Sequence, residues 1–98
     1  MRTAVARVEL HIGGAQSLKA KRAVLRPVIE RLKRSMSVSV AEVDHQDTWQ
    51  RAAIGVAWVA RDAIELDRLI DATRRHFDRQ LECEMVDFDI RHMEEPDG

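Results

Sequence analysis

Residues 41–52 read AEVDHQDTWQRA and set Glu42, Asp44, His45, Gln46, Asp47, Trp49, Gln50 and Arg51 within ten positions, between two apolar runs. An amphipathic scaffold does not require such a cluster, and polar loops held on rigid elements are where small domains keep binding and catalytic groups. Two chemistries fit these residue types. Glu42, Asp44, His45 and Asp47 make an N/O donor set of the kind that holds zinc, manganese or magnesium. His45 flanked by Asp44 and Asp47 also suits acid–base work, because a carboxylate can orient an imidazole and favour its charged form.

Neither chemistry is completed by its surroundings. On an extended strand end Glu42 and Asp44 share one side while Val43 and His45 face the other, so ligand convergence requires a sharp turn. No second His or Cys stands at matching spacing, since His11 and His92 belong to other strands. No metal or other cofactor is therefore expected. The acid–base arrangement has no nucleophile motif: Ser17 reads as a helix cap and Cys83 as an ordinary residue at a strand start. No catalytic residue is assigned, and an enzyme centred on Asp44, His45 and Asp47 stands as the alternative to a binding role. In the plainer reading Asp44 and Asp47 make turn hydrogen bonds, Trp49 packs over the connection, and Gln50 and Arg51 begin the next strand.

The elements around the cluster follow from periodicity. Residues 3–12 alternate, with Ala4, Ala6, Val8, Leu10 and Ile12 on one side and Val5, Arg7, Glu9 and His11 on the other, which is a half-buried strand. Gly13-Gly14 ends it, and Ser17 is placed to cap a helix. Leu18, Val24, Leu25, Val28, Ile29 and Leu32 fit a 3.6-residue period and predict that helix over 18–34, kinked or locally broken at Pro27. Residues 36–43 read as a second strand with Met36, Val38 and Val40 inward. Residues 49–59 read as a third, with Ile54, Val56 and Trp58 inward and Ala53, Gly55 and Ala57 outward. Asp62 caps a second helix over 63–79 whose buried stripe is Leu66, Leu69, Ile70, Thr73 and Phe77; Val86, Phe88 and Ile90 then mark the inner face of a fourth strand. The order β-α-β-β-α-β with right-handed crossovers gives an α+β, ferredoxin-like fold: a four-stranded antiparallel sheet, first and third strands central, both helices on one face. One such domain is expected over residues 1–93, with 94–98 an acidic, frayed tail.

Composition bounds the function. The chain has 98 residues, 45% hydrophobic and 34% charged, which is globular, and its two Trp and two Phe leave an aliphatic core. One cysteine excludes an internal disulfide, no stretch approaches eighteen apolar residues, and the first residues lack a signal-like apolar region. A cytoplasmic protein without membrane contact is expected. The net charge of −1 hides a strong asymmetry. Residues 17–34 hold Lys19, Lys21, Arg22, Arg26, Arg31, Lys33 and Arg34 against Glu30, a balance of +6, while residues 82–98 hold seven acids against Arg91, a balance of −6. The basic segment is either a solvated helix face or a surface for phosphates.

Two strings resemble a known family. Ser17-Leu18-Lys19-x-Lys21-Arg22 opens the first helix, and Val43-Asp44-His45-Gln46-Asp47-x-Trp49-Gln50-Arg51 spans the cluster; together with their spacing they resemble the YlxP-like family of small bacterial proteins, a domain of unknown function. The visible departure is Ala20, where the family's usual string has Glu, and this removes a capping-box acid. The resemblance implies a ferredoxin-like fold, a bacterial cytoplasmic protein and a link to RNA or the ribosome, and it brings no activity or catalytic residue.

RNA binding through the open sheet face is rejected. That face offers Val5, Arg7, Glu9, His11, Ala53, Gly55, Ala57, Asp87 and Asp89, with several acids and no aromatic to stack a base. Its small residues and the Val5/Val59 strip instead suit self-association, so a dimeric assembly protein is a further reading. The remaining RNA surface is Lys19, Lys21, Arg22 and Arg26 on the first helix with Arg51 from the cluster. The expected function is a binding protein engaging RNA or a ribosomal component through that helix and the 44–51 loop.

Overall fold

A computed structural model describes residues 1–93. Its elements run β1 (Arg2–His11), α1 (Leu18–Ser35), β2 (Ser39–Asp44), β3 (Arg51–Ala60), α2 (Ala63–Asp78) and β4 (Glu84–Met93). All strand pairs are antiparallel and the sheet order is β2-β3-β1-β4, so the first and third strands are central. Inward residues of the sheet and the buried stripes of both helices form one core cluster. This is the α+β, ferredoxin-like arrangement expected from the sequence. The acidic tail lies outside the described residues.

Local chemistry sets the boundaries. Ser17 is extended, and its hydroxyl accepts from the Ala20 N–H at 3.0 Å, satisfying one free donor of the first turn of α1. Asp62 does the same for α2 through the Glu65 N–H at 2.9 Å. The expected break at Pro27 does not occur: α1 runs unbroken to Ser35. Pro27 and Ala23, whose carbonyl lacks a proline N–H to accept, both sit on the exposed side of the helix, where water can satisfy that carbonyl. Met36 turns extended as the C-cap of α1, so β2 begins at Ser39, three residues later than alternation suggests; Met36, Val38 and Val40 still pack on the core.

One inward assignment is overturned. Val86 is 59% exposed, and Met85 packs against the core instead. The reason is a bulge in the β1–β4 ladder: Glu9 pairs with Asp87, but Leu10 pairs with Met85. The extra residue shifts every side chain beyond it by one face. Phe88 and Ile90, on the other side of the bulge, pack inward as expected.

The centre of the core is Trp58, almost fully buried. Its indole N–H donates to the Thr73 hydroxyl at 3.0 Å, and that hydroxyl in turn donates to the Leu69 carbonyl at 2.8 Å. A bulky aromatic is thereby fixed between sheet and helix with its polar atom satisfied. Among the described residues no helix is long and apolar enough to cross a membrane. Thr73→Val keeps the shape and removes the acceptor, stranding the indole N–H. Urea unfolding of this variant is expected to show a loss of about 1–3 kcal/mol.

Candidate functional site

The residues singled out by type divide between the two faces of the sheet. The dividing device is a second bulge, in the β2–β3 ladder, where Glu42 pairs with the inward Ile54 but Asp44 pairs with the outward Ala53. Glu42 therefore lies toward the helices and Asp44 toward the open face. This corrects the expectation that the two carboxylates share one side. Val43 leans on Gly55, with a methyl group 2.7 Å from where a side-chain carbon would stand, so any larger residue there would push Val43 aside.

Below the sheet, the site is organised by Lys21. Its side chain is 2% exposed, and its ammonium lies 2.7 Å from the His45 carbonyl, 2.9 Å from the Thr48 carbonyl and 2.8 Å from Glu42 Oε2. The ammonium donates to the two carbonyls, and the Glu42 carboxylate stands beside it as counter-ion. The Thr48 N–H also donates to the His45 carbonyl at 3.0 Å, closing residues 45–48 into a turn. Gln50 anchors the far end: its side-chain amide donates to the Gly13 and Ala15 carbonyls, and its own carbonyl accepts the Ile12 N–H. The loop is thus clamped to α1 at one end and to the β1–α1 connection at the other.

Above the sheet, His45 adopts the left-handed conformation, φ 62°, and returns its ring over the open face. The Asp44 carboxylate accepts the His45 N–H at 2.8 Å, which favours this turn. His45 Nε2 stands 3.3 Å from Glu9 Oε2, and Arg7 reaches Glu9 at 2.9 Å and Asp44 at 3.0 Å. Arg51 lies 3.9 Å from Glu9. This canopy covers Ala53, an outward-facing residue that is nonetheless fully buried. Arg7 and the His45 N–H hold the Asp44 carboxyl below its ordinary range, while Asp44 and Glu9 keep Arg7 still more firmly protonated.

The remaining cluster residues do not join. Gln46 is exposed and makes a long amide contact with the Glu42 carbonyl; Asp47 is exposed with no ion-pair or hydrogen-bond partner among the described residues. Trp49, expected to pack over the connection, is 52% exposed. Among the described residues no three His, Cys, Asp or Glu groups gather closely enough to hold a metal ion. The nucleophile candidates are elsewhere and otherwise engaged. Ser17 caps α1, and Cys83 lies just before β4, where burial and Glu82 push its thiol up, the direction opposite to thiolate activation. A cavity of about 960 Å³ lies between the β1–α1 and α2–β4 connections and contains no residue of the 44–51 loop.

The basic set is likewise divided. Lys21, expected at a phosphate-facing surface, is instead the buried clamp, its ammonium enclosed beneath the loop. Arg51 stands on the open face, with the sheet between it and α1. Lys19, Arg22 and Arg26 remain exposed on α1 and line a shallow groove of about 470 Å³ with Ala23 and Pro27. Residue types alone did not single out Arg7 and Glu9 as part of the site. Alternation placed them on the open face of β1, but their contact with the loop depends on a bulge and a positive φ.

Residues 3–90 match a family described as "Protein of unknown function (DUF503)". The chain is 35% identical over 79 residues to "Uncharacterized protein YlxP" of Bacillus subtilis (strain 168), covering 81% of this chain and 86% of that protein. The chain belongs to the DUF503 family, as the Ser17–Arg22 and Val43–Arg51 strings suggested.

Two outcomes test this geometry. Lys21→Ala strands the Thr48 carbonyl and the Glu42 carboxylate, and thermal or urea unfolding is expected to show a loss of about 3 kcal/mol. Arg7→Ala should raise the Asp44 pKa back toward 3.8 in an NMR titration. Because folding depresses this carboxyl, the Arg7–Asp44 stabilisation is present at neutral pH. It is lost as pH falls below about 3.8 through the depressed value.

Proposed function

We propose that this DUF503 protein is a non-catalytic binding module that grips the RNA phosphate backbone through the outer edge of α1. The observation that carries the reading is the state of Lys19, Arg22 and Arg26. All three are exposed, all line one groove, and none has an ion-pair partner among the described residues. Unpaired cations on one helix face are free to replace counterions on a polyanion. Their positions span about 10 Å along the helix axis, enough for successive phosphates of one strand. Trp49 is displayed on the neighbouring turn, whose flanking residues Thr48 and Gln50 are held by Lys21 and the β1–α1 connection. It offers an exposed ring that an unpaired base could stack on. The acids of β4 lie on the open face of the sheet, away from this edge.

Recognition of this kind is backbone-directed and steeply salt-dependent. Filter binding with a ribosomal RNA fragment should weaken on the order of 20–40-fold between 50 and 200 mM salt if three phosphates are contacted. The double variant Arg22→Glu, Arg26→Glu should abolish retention while leaving the unfolding midpoint nearly unchanged, because both side chains are exposed. Retention that is insensitive to salt, or unaltered in the double variant, would remove this reading.

A further inference from the structure

We propose that a second copy of this chain covers the open face of the sheet, so that the protein forms a two-fold dimer with its two α1 edges turned outward. The register divides that face into two halves. Toward one end lie Val5, Ala57 and Val59, flanked by Ala41, Val43 and Met93. Toward the other lie Arg7, Glu9, Asp44, His45 and Arg51, with Asp87 and Asp89 from β4. The apolar half is open to solvent: Val5, Val43, Val59 and Met93 are 39%, 48%, 63% and 56% exposed. Thr3, Ser39 and Arg91 stand on the same half, opposite Val59, Ala57 and Val5, so the apolar residues form a strip between polar ones. A shallow groove of about 370 Å³ runs across it, floored by Gly55 and Ala57 and rimmed by Val5 and Val43. Val59, exposed on the same face of β3, lies two residues beyond Ala57 of the groove.

The area of the face favours a second copy. Strands of 10, 6, 10 and 10 residues at about 3.3 Å per residue and about 4.8 Å spacing give a face of roughly 570 Å². Two stacked faces then bury on the order of 1,100 Å², above the roughly 1,000 Å² that a specific interface needs. The face carries both signs, Arg7, Arg51 and Arg91 with Glu9, Asp44, Glu84, Asp87 and Asp89, a balance of −2. The strongly basic α1 edge lies on the opposite side of the sheet and is left free. This pairing does not depend on the RNA reading.

Interfaces at this small end of the size range include weak, transient associations, so the test extends to high micromolar concentration. Sedimentation equilibrium of the full chain between roughly 5 and 300 μM should show the weight-average mass rising from 11.2 kDa toward twice that value. Val59→Arg should hold the chain monomeric across the range with an unchanged circular dichroism melt, and Val5→Lys should do the same independently. A monomer at the highest concentration overturns the proposal. A dimer that persists in both variants overturns it too, because association would then use another surface.

Discussion

The buried ammonium of Lys21 is the interaction on which the β2–β3 connection depends. Without it, the Thr48 carbonyl and the Glu42 carboxylate would lie against α1 with no cation or donor, and the His45 carbonyl would keep only the Thr48 N–H. Desolvating a lysine is unfavourable, and the attraction of one carboxylate offsets it only if the other protons are also satisfied. Here the loop supplies those acceptors, so the cation and the turn stabilise each other. The geometry also fixes direction. Drawing the His45 carbonyl down toward α1, in a residue held at φ 62°, sends its imidazole up over the open face. One cation below the sheet thereby sets the position of the charged canopy above it.

The two bulges act on the same principle from the strand side. In β2 the extra residue separates Glu42 from Asp44, giving one carboxylate to Lys21 and the other to Arg7. In the β1–β4 pair the bulge at Glu9/Leu10 exposes Val86 and carries Met85 inward. A sheet without bulges would put Glu42 and Asp44 on one face and leave one of them without its cation. Each irregularity thus permits chemistry that strict alternation forbids.

The regular parts of the fold are legible in the sequence because their signals are local. Alternation in β1 assigns each of its inward residues, and Ser17 and Asp62 announce the helix starts. The bulges are not legible, since a one-residue slip depends on what the neighbouring strand presents. The role of Lys21 is hidden for a related reason. Its neighbours Lys19 and Arg22 share its type, and helical periodicity alone places Lys21 on the same flank as Leu18 and Leu25 without saying that acceptors await it there. Pro27 misleads in the other direction: the missing N–H matters little where the freed carbonyl faces water.

The Ser17–Arg22 string, which looks like one basic motif, therefore performs three separate tasks. Ser17 starts the helix, Lys21 turns inward to clamp the loop, and Lys19 and Arg22 turn outward as unpaired cations. Helical geometry makes this partition unavoidable, because residues two apart project to opposite sides. The AEVDHQDTWQRA stretch gains its order from the inward member alone. The outward members stand next to the loop that Lys21 positions, so the basic edge and the Trp49 turn are held in a fixed relation. The phosphate-binding role proposed for this edge would therefore depend on a lysine that touches no phosphate. For that reason, changing the charge of Arg22 tests binding, whereas changing Lys21 tests the frame.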